Sequence, residues 1–231
     1  MANQKKRKVK GFKFQPFSSK QLKLLNWWSD SSPTKDKFMC VADGSVRSGK
    51  STVSTLSFIL YTMSHFNDQN MAFCGKTVGS LRRNIIQPLK QMLLTLNYDI
   101  LEHRSENYLE ITKGDITNYY YLFGGRDESS QDLVQGLTLA SAFLDEVVLM
   151  PESFYNQVLA RLSVEGAKVW LSCNPNSPYH WFYTKVLKQL KEKDGIYIHF
   201  TMKDNPSLRP EIVARYEKMY SGVWKRRFID G

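Results

Sequence analysis

The chain has 231 residues, of which 42% are hydrophobic and 23% charged, and a formal net charge of +10. This composition is typical of a globular protein with a sizeable core, and no apolar run approaches the roughly 18 residues that a membrane-spanning helix needs. The N-terminus carries charge without a following apolar stretch, which predicts no secretory signal peptide. Each of three widely spaced cysteines (Cys40, Cys74 and Cys173) follows apolar residues, so we expect reduced thiols on buried strands.

A basic arm begins the chain. Six lysines and arginines lie between positions 5 and 13, and without them the net charge of +10 falls by six to +4. Such an arm fits a localisation signal, a polyanion-binding tail or a solvated flexible terminus. The charge is compatible with a nucleic-acid partner but does not identify one.

An aromatic segment, residues 12–21, precedes the first predicted strand and contains Gln15 and Gln21. A glutamine amide can bond the edge of adenine at two points while an aromatic ring packs on its face. Packing of Phe14 and Phe17 in the core is the simpler interpretation, and both interpretations stay open.

The clearest signal is a glycine-rich segment, residues 44–51, that matches the phosphate-binding pattern GxxxxGK[ST] at each fixed position. A buried strand is predicted before it, at residues 38–43, and a helix after it, from Lys50 to His65, as the pattern requires. Backbone N–H groups of such a P-loop surround phosphate oxygens at the positive end of the helix. Lys50 would contact the β- and γ-phosphates, and Ser51 would join the Mg²⁺ shell. The predicted nucleotide-binding residues are Gly44, Ser45, Ser48, Gly49, Lys50, Ser51 and Thr52.

The following segments continue the alternation of strands and helices. We predict a strand at residues 71–75, a helix at 81–96 and a hairpin at 108–123 with its turn at Gly114-Asp115. The tripeptide Gly75-Lys76-Thr77 repeats the end of the P-loop pattern, but Asn70 stands where the first glycine should be. We therefore predict no second nucleotide site, although Lys76 stays a candidate functional residue at the C-terminal end of a strand.

A predicted strand at residues 139–144 ends in two acids, Asp145 and Glu146, about 95 residues after Lys50. Asp145 would hold Mg²⁺ through water, and Glu146 would orient or deprotonate the attacking water. The presence of Glu146 favours hydrolysis over simple nucleotide binding or phosphorylation of a small molecule. Pro151 is predicted to open a short helix in its first turn.

Asn174 follows another predicted strand, residues 169–173, where it could sense the γ-phosphate. From spacing alone, a turn formed by Asn174 and Pro175 is the favoured interpretation. Phosphoryl transfer also gains from an arginine near the developing charge. Two arginines are candidates: Arg47 inside the P-loop and Arg126 after two glycines.

The last segments predict a helix at 179–193, an extended stretch at 196–201 and a helix at 210–220. Together the elements predict an α/β fold, with a mainly parallel sheet flanked by helices and a small C-terminal lid-like appendage. The expected domains are a flexible basic arm at residues 1–13, a P-loop ATPase core at 14–194 and a lid or linker at 195–231.

In their order and spacing, these motifs resemble the ATPase domain of the large terminase subunit of tailed bacteriophages. The resemblance covers nearly the whole chain and rests on residues 44–51, 75–82, 136–146, 172–175 and 201–208. It implies a RecA-like P-loop NTPase fold and adenine recognition by Gln15 or Gln21. It also implies that Asn174 couples hydrolysis to movement, which reverses the preference from spacing.

The resemblance further implies an arginine that completes the site. Some family members have an Arg-Gly pair where this chain has Gln135-Gly136. That difference leaves Arg47 acting in its own subunit, or Arg126 donated by a neighbouring one. Full-length members continue into a nuclease domain, so we expect an isolated ATPase domain without nuclease activity.

The implied cofactors are ATP and Mg²⁺. The implied partners are double-stranded DNA, the portal protein, the small terminase subunit and further copies of the chain in a ring, with the oligomeric state of the isolated chain left open. The implied location is the host cell cytoplasm, transiently docked on the prohead.

Three alternative functions fit parts of the sequence. A helicase of this chemistry usually has two tandem motor lobes, and 231 residues hold only one. A P-loop kinase or nucleotide-binding regulator is disfavoured by Glu146 and by the lack of a recognisable acceptor-site lid motif. A non-catalytic DNA-binding module rests on the charge alone.

Overall fold

The computed structural model describes residues 12–174 and 177–220. Most of the expected basic arm, the Pro175-Asn176 pair and residues 221–231 lie outside the described residues. No helix in the described part is long and apolar enough to cross a membrane.

Eight strands form one sheet in the described chain. They are β1 Met39–Gly44, β2 Asn70–Gly75, β3 Asp99–His103, β4 Tyr108–Lys113, β5 Ile116–Gly124, β6 Ser141–Leu144, β7 Lys168–Ser172 and β8 Gly195–Phe200. Their order is β3-β4-β5-β2-β6-β7-β1-β8. The six strands from β5 to β8 in this order are parallel, and β3 and β4 add an antiparallel edge. The parallel strands all end at one edge, where an α/β sheet binds its ligands.

Helices cover both faces of this sheet. The α-helices are α1 Ser19–Asn26, α2 Lys50–His65, α3 Val78–Leu81, α4 Gln87–Thr95, α5 Glu152–Arg161, α6 Trp181–Lys185 and α7 Pro210–Met219. A π-helical turn, Arg82–Ile86, joins α3 to α4, and short 3₁₀ turns lie at Glu128–Val134, Val147–Leu149, Leu187–Gln189 and Met202–Asp204. The mainly parallel α/β fold expected from the sequence is therefore confirmed.

The core has two halves, one on each face of the sheet. Cys40 and Ala42 of β1 belong to one apolar cluster, while Met39 and Val41 belong to the other. Because both faces are covered, β1, β6 and β7 are buried along their whole length. This burial explains why these strands read as continuous apolar runs in the sequence.

Several expected elements differ in extent. The helix predicted at 81–96 begins earlier, at Val78, and includes the π-helical turn. The helix predicted at 179–193 was too long, because α6 ends at Lys185, Val186 is its C-cap residue with φ −115°, and a 3₁₀ turn follows at Leu187–Gln189. Pro151 precedes α5 as its N-cap residue and does not lie inside the first turn. Strand β3 was not predicted, since its half-exposed residues show no clear alternation.

The C-terminal part of the chain adds strand β8 to the sheet before it continues to helix α7. Strand β8 pairs with β1 over six residues, from Met39↔Gly195 to Gly44↔Phe200. The boundary expected at residue 194 falls directly before this strand, so the sheet continues into the segment assigned to the lid or linker. Helix α7 follows as the last described element.

The contact between β1 and β8 predicts a strong effect of a small substitution. Gly44 has φ +132°, and a Cβ atom there would lie 1.9 Å from the carbonyl oxygen of Phe200. Gly44→Ala would have to separate the two strands, and overpacking of this kind costs about 1–3 kcal/mol before backbone strain is added. We expect thermal unfolding to begin about 5 °C lower or more. Gly136→Ala is the matched control, because Gly136 also has positive φ but nothing within 4 Å of the added atom; equal shifts would contradict the clash.

Candidate functional site

The P-loop connects β1 to α2 and leaves the start of that helix open. Gly49 is the N-cap residue of α2, with the left-handed φ of +82° that favours glycine, and no side chain caps the helix. Residues 47–52 line a cleft together with Asn205 and Leu208. Unpaired N–H groups and the positive end of the helix dipole therefore face this cleft, which is the arrangement that binds phosphate.

Lys50 lies at the base of the P-loop and is 6% exposed. Its Nζ donates to the carbonyl oxygens of Gly44 at 3.1 Å and Ser45 at 3.0 Å, and to Oδ1 of Asn174 at 2.6 Å. Burial lowers the pKa of Lys50, while neighbouring acidic groups, Asp43 among them, oppose the shift. The ammonium group is thus fixed in the loop and directly joined to Asn174.

Some of the other predicted P-loop residues shape the loop, and others line the cleft. Ser48 is buried and donates from its Oγ to the carbonyl oxygen of Ser45 at 3.0 Å, which shapes the loop. The Oγ of Ser45 is buried without a hydrogen-bond partner in the described chain. Thr52 is exposed and lines both the phosphate cleft and the neighbouring cleft beside α1.

Asp145 follows β6 and accepts hydrogen bonds from two hydroxyl groups. Its Oδ1 accepts from Ser51 Oγ at 3.0 Å and from Ser172 Oγ, at the end of β7, at 2.6 Å. Burial raises the pKa of Asp145, against the effect of these hydrogen bonds and of Lys50. Sequence reasoning missed Ser172; the available signal was a hydroxyl residue at the end of an apolar strand, two positions before Asn174.

The Ser51 and Asp145 oxygens fit a magnesium ion. A hydroxyl and a carboxylate are hard donors, and Mg²⁺ is usually held by one or two such side chains together with water and substrate phosphates. No cluster of three or more His, Cys, Asp or Glu side chains that could hold a metal occurs in residues 12–174 and 177–220. The chemistry of the two oxygens suits a metal whose other ligands are water and a bound phosphate.

Glu146 has an unusual backbone. Its φ of +52° and ψ of +48° are left-handed, and its N–H donates to Ser172 Oγ at 3.3 Å. Burial of the carboxyl group, and then the charge of Asp145, raise the pKa of Glu146, while Lys50 and Lys76 oppose this. A carboxylate with a raised pKa is a better proton acceptor near neutral pH, as a general base needs.

Arg47 is held by the C-terminal part of the chain. Its Nε donates to the hydroxyl of Tyr216 on α7 at 2.7 Å, and its guanidinium carbon lies 5.7 Å from the centre of that ring. Its carbonyl oxygen accepts from Asn205 Nδ2 at 2.7 Å. Sequence reasoning assigned no role to Asn205 or Tyr216, and an Asn-Pro pair at 205–206 was the only local signal.

Arg126 lies at the same edge of the sheet but far from the P-loop. Arg126 follows β5, and three strands, β2, β6 and β7, lie between β5 and β1. The ends of β5 and β1 are therefore four strand spacings apart, or roughly 19 Å. The residue is exposed, and its backbone N–H donates to Ser130 Oγ at 3.1 Å. The fold does not bring Arg126 to the P-loop of its own chain.

A second cleft, of about 200 Å³, adjoins the P-loop. Residues 12–17 line it together with Gln21, Thr52 and two residues of α4. Oε1 of Gln21 accepts from the N–H of Ser18, where it caps α1, and Nε2 points toward Gly49. Gln15 is exposed in the same cleft. The two glutamines therefore have different surroundings, and only Gln21 is committed to a helix cap.

Comparison with known proteins agrees with this geometry. The family model for the phage terminase large subunit matches residues 36–227. The large terminase of a thermophilic bacteriophage is 55% identical, with a TM-score of 0.90 over 93% of this chain and 53% of that one. The same terminase in complex with ADP gives 54% identity, a TM-score of 0.90, and coverage of 94% and 53%. The chain thus spans about half the length of these relatives.

More distant structures share the fold alone. The ATPase domain of the large terminase of Thermus phage P74-26 has 13% identity and a TM-score of 0.59, over 94% of this chain and 98% of that one. Comparison with functionally curated proteins gave no significant match. The family model nevertheless covers most of the chain, and the terminase of the thermophilic phage is more than half identical to it. The chain therefore belongs to the phage terminase large subunit family.

Proposed function

We propose that this chain is the ATP-hydrolysing motor part of a DNA-packaging terminase, which moves double-stranded DNA into a viral prohead. The observation that carries the proposal is the hydrogen bond from Ser51 to Asp145 at the open end of α2, next to Lys50, which is held in the P-loop by the carbonyl oxygen of Ser45. Relatives solved with ADP and with ATP-γ-S, at 54% and 51% identity, support ATP as the nucleotide.

The chain's own groups have distinct tasks in this mechanism. Lys50 and the N–H groups at the start of α2 hold the terminal phosphates, and Ser51 and Asp145 would hold Mg²⁺. Bound there, Mg²⁺ would supply positive charge against the charge that develops on the phosphates. Glu146 accepts a proton from the water that attacks the γ-phosphorus, and ADP leaves with the electrons of the broken bond.

Asn174 has the geometry of a coupling residue. Its Oδ1 accepts from Lys50 Nζ at 2.6 Å, so any movement of Lys50 toward a phosphate changes the partner of Asn174. Because Asn174 lies two residues after the end of β7, that change reaches the C-terminal end of this strand.

The two arginines take different parts. Arg47 is bonded to Tyr216, so it positions phosphate or switches within its own subunit only after that bond is broken. Arg126 lies about four strands away and is exposed, which suits an arginine that acts on a neighbouring subunit. Gln15 is the better candidate for reading adenine, because Oε1 of Gln21 caps α1.

The trans role of Arg126 predicts a complementation result. Neither Arg126→Ala chains nor Glu146→Gln chains should turn over ATP appreciably, since an arginine finger contributes roughly 10³–10⁵ in rate. When the two variants are mixed, some Arg126→Ala chains, whose own Glu146 is intact, lie next to Glu146→Gln chains that supply Arg126. Turnover measured by phosphate release should then return. The matched control mixes Arg126→Ala chains with the Arg126→Ala/Glu146→Gln double variant and should stay inactive. If neither mixing nor concentration changes turnover per chain, Arg47 completes the site instead.

Movement along DNA is tested by displacement of a third strand. A short oligonucleotide bound as a triplex on double-stranded DNA is released when a motor passes it. We expect release with ATP and Mg²⁺, and none with ADP or with Glu146→Gln chains. ATP hydrolysis without any displacement would refute the motor function while leaving the ATPase site intact.

Membership of the family is the basis for four further proposals. They are binding to the portal protein, binding to the small terminase subunit, assembly into a ring and a cytoplasmic location.

A further inference from the structure

A basic groove lies beside α4, on the opposite side of that helix from the P-loop. We use the name basic groove for the surface formed by Arg82, Arg83, Lys90, Glu102 and Arg104. Its volume is about 430 Å³. Four positive charges face one carboxylate, which leaves a local excess of three positive charges.

Glu102 organises this groove without neutralising it. Its carboxylate lies 3.2 Å from Arg82 Nη1, 2.5 Å from Lys90 Nζ and 3.4 Å from Arg104 Nε. Partial burial would raise the pKa of Glu102, but the hydrogen bond from Lys90 and the nearby positive charges outweigh it and lower that pKa. One carboxylate thus holds three cationic groups together, and Arg82 Nε is buried without a hydrogen-bond partner in the described chain.

The same helical segment lines the basic groove and the cleft of about 200 Å³ beside the P-loop, which we call the nucleotide cleft. Pro88 and Met92 of α4 line the cleft beside the P-loop, and residues four apart lie on one helix face. Lys90 is two positions from each and lies on the opposite face, toward the groove. Arg82 and Arg83 are the first two residues of the π-helical turn before α4. Such turns are rare in proteins, and where they occur they often lie at functional sites.

We propose that the basic groove binds the phosphate backbone of double-stranded DNA, an inference that rests on the proposed motor function. Arginine forks suit phosphate oxygens, and contacts to the backbone carry no sequence information. A motor that moves along any sequence needs this kind of contact. The excess of three charges in a groove of this volume matches a polyanion, and α4 links its occupancy to the nucleotide cleft.

Salt dependence of DNA binding tests the groove. We would titrate fluorescent duplex DNA with the full chain at several salt concentrations. The logarithm of affinity falls with the logarithm of salt by about 0.9 for each phosphate contact, so Arg83→Ala/Lys90→Ala should reduce the slope by about 1.8 and weaken binding. The matched control, Lys23→Ala/Lys191→Ala, removes two exposed lysines outside the groove and should change the slope much less.

A variant of opposite sign separates DNA binding from folding. Glu102→Gln removes the only negative charge of the groove, so it should tighten DNA binding and steepen the salt slope, although the midpoint of thermal unfolding falls. Arg83→Ala alone changes an exposed side chain and should fold normally while losing about 0.9 of slope. If the wild-type chain does not bind duplex DNA, the motor function fails. If it binds but the groove variants match the control, the groove inference fails and the motor function stands.

Discussion

Lys50→Ala is expected to lower ATP turnover by about 10²–10³ or more, because the transition state loses its closest cationic phosphate contact. In the folded chain Nζ of Lys50 also donates a hydrogen bond to Asn174, so the variant disconnects the P-loop from the residue proposed to couple hydrolysis to movement. Phosphate release at saturating ATP measures the effect. Turnover above about a tenth of wild type would contradict the role of Lys50.

Lys76→Ala is the matched control for this prediction. Lys76 lies in a second Gly-Lys-Thr sequence, but it follows β2 and is exposed, with no P-loop around it. Its charge acts on Glu146 only as a lesser influence among several. We expect a much smaller loss of turnover than at Lys50, and equal losses would mean that the P-loop position is not what matters.

Glu146→Gln is expected to leave nucleotide affinity near that of wild type while turnover falls by about 10²–10⁴. The amide keeps the size of the side chain and can still bond a water molecule, but it cannot accept the proton. The left-handed backbone of Glu146 should persist, since its N–H bond to Ser172 does not involve the side chain. Titration with a fluorescent ATP analogue and a single-turnover assay measure the two quantities separately.

Asp145→Asn provides the contrast to Glu146→Gln. Asp145 meets both Ser51 and Ser172 and would hold the metal, so its loss should lower Mg²⁺-dependent affinity as well as turnover. The two acids are adjacent, which makes the comparison a test of role rather than of position. A fall in affinity of Glu146→Gln as severe as its fall in turnover would make Glu146 a structural residue.

The parts of the site that sequence reasoning found are those fixed by local chemistry. A P-loop needs its glycines, Lys50 and Ser51 within eight consecutive residues. An apolar strand that ends in Asp145-Glu146 can likewise be recognised from a short stretch of sequence. Contacts between distant residues leave no such mark: Arg47 and Tyr216 are 169 positions apart, and nothing near either one predicts their hydrogen bond. Ser172 became part of the site only because β7 lies between β6 and β1.

The fold shows the same division. Central strands such as β1 and β7 were predictable because burial on both faces makes them continuously apolar. Edge strand β3 was missed because its residues are only partly buried. The apolar residues of 179–193 suggested one long helix, yet α6 ends after Lys185 and the chain continues through a 3₁₀ turn into β8. Pairing of β8 with β1 is a long-range contact that no local pattern encodes.

Release of inorganic phosphate from ATP by the purified chain tests the central claim most directly. The reaction would contain Mg²⁺, no small-molecule acceptor, and either no DNA or double-stranded DNA, over a range of chain concentrations. We predict Mg²⁺-dependent release that rises with chain concentration and with duplex DNA, and that is lost in Lys50→Ala and Glu146→Gln chains. No release above background at any concentration, with duplex DNA present and ATP bound, would contradict it.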